Sequence, residues 1–455
     1  MRSILLSFGV AALAVPATAA PATYYKDVLP VLQKNCQSCH RPGEAAPMSF
    51  LNFETTRPWA KAIKSAVASK KMPPWFADPH VGKFSNDRTL SAAEIETLTS
   101  WVDGGAQAGN PADAPAPLHF VEGWRINKPD VVFKMPAAYN VPQSGTVDYQ
   151  YVIIPTGFTE DKYVAMAEAR PSDPSVVHHI IAFIREPGNN WLKGARKGVA
   201  FSESEMRAEM EARAKANPQP DGGRRRGGGA EGGSFGGDML AGYAPGTLPN
   251  IMKTGQAKLV PAGSDIVLQI HYTATGKPAS DISEVGVVFT DRQPAERVLS
   301  LAATTSKFAI PPGDPNYRVD AKLKLEDDST LISLLPHMHF RGKSFEYRVT
   351  YPSGEKETLL NVPAYDFNWQ LSYDLAQPRV LPKGTVIECT AYYDNSVKNK
   401  FNPDPTKEVR FGEQTWEEMM FGFFDVAVPV RKTAMELLVP EDKRPKANSS
   451  GVAPE

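Results

Sequence analysis

Apolar positions change period along the chain. Between Tyr25 and Lys34 they fall at Val28, Leu29, Val31 and Leu32, and between Ser91 and Val102 at Ile95, Leu98, Trp101 and Val102. Both sets fit one face of a 3.6-residue helix. Ser91 with Glu94 forms a capping-box start for the second helix, and Gly104-Gly105 stops it. Residues from about 24 to 108 therefore read as mostly helical. A Pro/Ala run, Asn110 to Pro117, predicts a linker at 109–120. Beyond it the segments become strand-like: Tyr151–Ile154, Val176–Ile184, Asp265–Thr275, Thr330–Leu335, Phe345–Tyr351, Val386–Tyr393 and Met420–Val428. Turn residues between them point to all-β sandwich or jelly-roll modules rather than βαβ units. One helix, Glu203 to Ala216, runs into a glycine-rich loop at 217–238 whose three arginines read as solvated surface.

The start of the chain has another character. Arg2, the apolar run Ile4 to Val15 and the small residues Ala17 to Ala20 have the form of a secretory signal peptide over 1–19, cut after Ala19 or Ala20. The run falls short of the roughly 20 residues that span a bilayer, so no membrane span is expected after cleavage. The expected address is periplasmic or secreted. The 455 residues suffice for two or three domains, and 40 Pro with 34 Gly favour β architecture. Charges of 50 Lys+Arg against 51 Asp+Glu leave −1, which gives no pull towards nucleic acid. Only 3 Cys and 8 His are present, too few Cys for a disulfide scaffold.

Two of the cysteines stand in Cys36-Gln37-Ser38-Cys39-His40, the Cys-x-x-Cys-His pattern of c-type haem attachment. Two thiols one helical turn apart reach the two vinyl groups of one porphyrin, and the following His becomes an axial ligand. A thioredoxin-like pair lacks its βαβ context, and a zinc half-site lacks a second ligand pair. Met72, in Lys71-Met72-Pro73-Pro74, is the expected sixth ligand because prolines stiffen its loop; Met48 is the alternative. This segment resembles a small cytochrome c domain, over 20–108.

Five more histidines form three tight motifs: His178-His179, His271 in Leu268-Gln269-Ile270-His271-Tyr272, and His337-Met338-His339. Residues i and i+2 of a strand share a face, so His337 and His339 can grip one ion. Adjacent His178 and His179 can do so only at a strand end or a bulge. Three imidazoles from His178, His179 and His271 suit zinc or copper equally, whereas two plus a thioether favour copper. Met419 is the candidate thioether, with Met420 a neighbouring competitor and either open to a core role.

From about residue 125 to 430 the chain resembles the copper type II, ascorbate-dependent monooxygenases, the family of peptidylglycine α-hydroxylating and dopamine β-monooxygenases. The order of motifs carries the resemblance: His-His, then Val267-Leu268-Gln269-Ile270-His271-Tyr272, then His337-x-His339 with Gly342-Lys343, then Glu418-Met419. It implies two jelly-roll-like sandwich domains, over 121–300 and 301–435, with a flexible tail at 436–455 and one copper ion on each domain. By that pattern His178, His179 and His271 hold the electron-storing copper, and His337, His339 and Met419 the copper that binds O₂. Departures are informative. The partner position of Cys389 in the family's disulfide pattern is Met420, which implies a buried, unpaired thiol. The positions that grip a peptide carboxylate in the family are Leu335 and Phe423, which cannot bind one.

The expectation is therefore a periplasmic monooxygenase that hydroxylates a C–H bond of a small, non-peptide substrate with O₂. Its electrons would pass through the fused haem from ascorbate or a periplasmic redox protein, and no side-chain general base is needed. The alternatives are a non-catalytic copper-binding or electron-relay haem protein, and a zinc protein, for which no His-Glu-x-x-His helix speaks.

Overall fold

The computed structural model of the chain describes residues 21–44, 46–216, 236–244 and 246–444. The expected signal segment lies outside the described residues, as do 217–235 of the glycine-rich loop and 445–455 of the tail. The fold is mostly β-sheet with a few short helices, and it divides into two units.

The first unit comprises Met1–Gln37, Met48–Pro73 and Leu90–Leu118. Its helices include α1 (Leu29–Asn35), α2 (Ala60–Ala68) and α3 (Ala92–Asp103). The expected capping box is present on α3: the Ser91 hydroxyl accepts the Glu94 N–H while the Glu94 carboxylate accepts the Ser91 N–H, and Gly104 ends the helix. The apolar stripes meet in a core of Tyr24, Val28, Leu32, Ile63, Val67, Leu98 and Trp101. The Pro/Ala run is not a free linker. Most of it belongs to this unit, because Asn110 caps a turn at Pro111–Asp113 and the Gln33 amide donates to Ala116 O at 2.9 Å.

The second unit comprises Ser38–Pro47, Pro74–Thr89 and His119–Glu455. Residues 38–47 and 74–89, assigned above to the helical domain, thus belong with the β region. Segment 74–89 is tied to the second sandwich: Phe84 bridges Leu375, Ser85 N–H donates to Asp374 O, and Trp75 packs on Tyr373 at 4.8 Å between ring centroids.

Eight strands position the histidines: β1 (Gln150–Pro155), β2 (Val177–Arg185), β3 (Asp238–Tyr243), β4 (Asp265–Tyr272), β5 (Glu296–Thr304), β6 (Ser329–His337), β7 (Tyr373–Leu381) and β8 (Phe421–Pro429). The order β1-β4-β2-β3 makes one four-stranded sheet. Every residue of β4 is buried, as a central strand covered on both faces requires. This sheet shares a core with Phe133, Val164, Val285 and Val287 of a facing sheet. The order β5-β8-β6-β7 belongs to a nine-stranded sheet that packs on the strands Tyr317–Lys324, Gly342–Thr350, Lys356–Val362 and Val386–Tyr393.

The expected boundary at 300/301 falls inside β5, which pairs along its whole length with β8. Its first residues, Glu296 and Arg297, also pair in parallel with Gln256 and Ala257, so one sheet runs through both sandwiches. The start of the expected flexible tail is helical as well: Leu437, in the short helix Ala434–Leu438, is fully buried, and its carbonyl accepts Glu326 N–H at 2.7 Å. Among the described residues no helix is long and apolar enough to cross a membrane.

Candidate metal centre

The His178-His179 pair converges because the backbone bulges there. Val177 pairs with Tyr272 and His179 with His271, so His178 is the extra residue of the ladder. That insertion turns two neighbouring side chains to one side, which a regular strand forbids. One nitrogen from each of His178, His179 and His271 lies within 4.8 Å of the others. The Nδ1 atoms of His178 and His179 stand 3.2 Å apart. Two nitrogens about 2.0–2.1 Å from one tetrahedral ion would be separated by roughly that much.

The protonation states suit a metal. Burial pushes His178 down to about 4 and His271 to about 3, and it depresses His179 far below its ordinary value. The fields of His271, His178, His337 and His339 add to the shift of His179. All three rings are therefore neutral near pH 7, the ligating form. His271 Nδ1 is buried with no hydrogen-bond partner, an arrangement costly without a ligand.

His337 closes β6 opposite Phe421 of β8, and His339 follows in a turn closed by Gly342 N–H on His339 O. Their rings stand 5.2 Å apart. The Gln370 amide nitrogen donates to Phe367 O, which orients its oxygen towards His337 Nδ1 at 2.9 Å. His337 Nδ1 must then donate, leaving the lone pair on Nε2. His339 Nδ1 donates to the Glu417 carbonyl at 3.4 Å, and its buried Nε2 has no partner. Burial lowers His337 to about 4 and His339 further. Both imidazoles thus present Nε2 with the proton held behind, the arrangement typical of metal-bound histidine.

Glu418 holds this turn. Its carboxylate accepts the backbone N–H of His339 at 2.9 Å and of Arg341 at 2.7 Å, and burial pushes it up to about 8. Met419 is buried with Ala302 and Phe421. Met420 instead belongs to the main core. Met419 therefore sits between Glu418, bonded to His339, and Phe421, paired with His337. Cys389 is a buried free thiol, with burial raising it, packed against Gly422 and Tyr347.

The two histidine groups are neighbours. Tyr149 places its ring 5.4 Å from His179, 5.0 Å from His271 and 6.3 Å from His339, with its hydroxyl buried and unpartnered. Phe367 stacks on His178 at 5.0 Å and lies 6.2 Å from both His271 and His339. Tyr149, Phe367 and Gln370 carry no sequence signal, being single residues of common type. A cavity of about 630 Å³ touches both groups through His179 and His337, and Leu335 and Phe423, cross-strand partners, line it beside His337.

At the haem motif, Cys36 follows the end of α1, and Cys36, Cys39 and His40 are all partly exposed. Gly246 lies against Cys39: a Cβ there would come 3.3 Å from Cys39 Sγ, and φ is +81°. Met48 packs against the core of the first unit, while Met72 follows α2 in a turn.

No family model matches the chain, and no curated protein does. Among solved structures it is similar to the infectious bursal disease virus VP2 subviral particle, at 10% identity over 66% of this chain and 71% of that one, with a TM-score of 0.18. The structure of the Gt strain of that virus gives 7% identity over 72% and 77%, with a TM-score of 0.18. Scores so low carry no argument about fold or function.

Proposed function

We propose that this protein is an exported copper monooxygenase which hydroxylates a C–H bond of a small, non-peptide substrate with O₂, its electrons arriving through a c-type haem. One observation carries the reading: two groups of neutral histidines on different sheets, all but His178 buried, border one cavity. His178, His179 and His271 would hold one copper ion, and His337, His339 and Met419 the other. Bound copper supplies one-electron chemistry towards dioxygen. The chain supplies geometry. Gln370 and the Glu417 carbonyl hold the ring protons on Nδ1, Glu418 holds the His339 turn, and the rings of Tyr149 and Phe367 stand against histidines of both groups. Leu335 and Phe423 favour an apolar substrate over a carboxylate. Cys36, Cys39 and His40 would hold one haem c, with Met72 as sixth ligand.

Copper titration followed by oxygen uptake tests this. Two copper ions per chain are expected, one in His271→Ala, with substrate-dependent oxygen uptake by the reduced wild type alone. Stoichiometric copper with no oxygen uptake on any apolar substrate would instead identify a non-catalytic electron relay. Zinc retained in preference to copper would reject both readings.

A further inference from the structure

Among the histidines of the two groups, His178 is held least by its own sheet. It is the extra residue of the bulge between Val177 and His179, which leaves it without a ladder partner, and the other four are buried while it is half-buried. Its ring is fixed from outside. Phe367 lies flat against it, with ring centroids 5.0 Å apart and 9° between the planes. Phe367 is itself buried, and it comes from the second sandwich, in the turn between the strand Lys356–Val362 and β7.

The same turn grips the other group. Gln370 Nε2 donates to Phe367 O at 2.8 Å, and Gln370 Oε1 accepts from His337 Nδ1 at 2.9 Å. One side-chain amide thus runs from the ring proton of His337 to the backbone of Phe367. The Tyr365 hydroxyl accepts Met338 N–H at 3.1 Å and donates to Met338 O at 2.9 Å, which ties the backbone between His337 and His339 to the turn. Phe340, next to His339, meets the Phe367 ring edge to face at 4.8 Å. The turn is braced within itself as well: Asn368 N–H donates to Asp366 Oδ1 and Trp369 N–H to Asp366 O, each at 3.0 Å. A braced turn bonded to one ligand and stacked on another carries the position of the first to the second.

We propose that Phe367 is a positioning residue for His178, and that the turn Tyr365–Gln370 couples metal binding at the two histidine groups. This rests on the reading of both groups as metal sites given above. His337 holds Gln370, Gln370 holds Phe367, and Phe367 keeps the His178 imidazole in the plane from which it meets His179 and His271. By linkage the coupling is reciprocal, so an ion at either group strengthens binding at the other.

The experiment is a chelator competition for copper(II) on the full-length protein, paired with EPR. It uses a His339→Ala background, which disables the second site and leaves His337 and Gln370 in place; the copper signal lost on adding His271→Ala is that of the triad. Phe367→Leu keeps apolar bulk but loses the flat ring, and it should weaken copper binding at the triad about tenfold or more, as loss of a residue that orients a ligand does. The copper hyperfine splitting should change with it. Phe367→Tyr should restore both affinity and spectrum. Gln370→Leu, which removes a group bonded only to the other side, should weaken the triad about fivefold and add nothing on top of Phe367→Leu. Unchanged affinity and spectrum in Phe367→Leu would overturn the positioning role. An effect of Gln370→Leu that persists in full alongside Phe367→Leu would overturn the coupling, since the route would then pass elsewhere, as through Tyr149. Should Phe367→Leu not fold, Gln370→Leu decides, and wild-type affinity at the triad in that variant overturns the proposal. A protein with no copper signal dependent on His271 fails the underlying reading; one that binds copper there equally well in every Phe367 and Gln370 variant fails the proposal alone.

Discussion

Replacing Glu418 tests whether one buried carboxyl holds the second histidine group in place. Glu418→Ala removes the acceptor for two backbone N–H groups, His339 and Arg341, both buried. Each stranded donor costs about 1–3 kcal/mol. The Arg341 guanidinium is not stranded, because it also donates to Asn395 Oδ1 and to Trp416 O, each at 2.9 Å. The sum is a loss of about 2–6 kcal/mol in the metal-free protein. Glu418→Gln should fall between, since the amide oxygen serves one N–H while its NH₂ faces the other. Affinity for copper at this group should drop about 10–100-fold, the usual effect of removing a residue that orients ligands.

The sign of the pH dependence is a second handle. Glu418 is raised from 4.5 to about 8 by burial, so the folded chain keeps a proton that the unfolded chain has lost between those values. Its contribution is complete below about 4.5 and declines as pH rises towards 8. The penalty of Glu418→Ala should therefore shrink from pH 5 to pH 9. Urea titrations at those two pH values, with chelator competition for copper, measure all three quantities. A stability change under about 0.5 kcal/mol, the range of ordinary surface substitutions, would refute the clamp.

Two further outcomes follow from burial and packing. Because burial holds His178 and His337 near 4 and His271 near 3, the metal-free protein should be fully stable above about 6.5 and lose stability as pH falls towards 4, where only the unfolded chain takes up protons; a flat urea midpoint between pH 7 and 4.5 would contradict this. Gly422→Ala drives a Cβ into Cys389 Sγ and should cost about 1–3 kcal/mol, largely recovered by adding Cys389→Ala; additive penalties in the double-mutant cycle would rule out the contact.

Local periodicity and capping carried the elements well. Glu203–Ala216 and Val386–Tyr393 lie where the pattern placed them, and Ser91 with Glu94 caps its helix as expected. Such signals are written within a few residues of one another. The errors concern pairing at long range. A break at 300/301 looked natural between two modules, yet Glu296–Thr304 pairs with Phe421–Pro429, some 120 residues away, and nothing in its own pattern names that partner. Segment 74–89 fails likewise: Trp75 and Phe84 read as part of a helical domain, and only Tyr373 and Leu375 reveal where they dock.

At the candidate metal centre the same division separates the histidines from what aims them. Histidine is rare here, so five in three tight motifs stand out against their background. The adjacent pair even encodes backbone geometry, because His178 and His179 can meet His271 only through a bulge, and the ladder has one there. Gln370 and Glu418 are different. Each acts through one hydrogen-bonding group delivered from a distant stretch of chain, and the same residue types occur throughout the sequence without that duty. Their role comes from the fold, which brings Gln370 behind His337 and Glu418 beneath His339. If orientation decides affinity at this centre, substitutions at these inconspicuous positions should weaken the second group while every histidine remains in place.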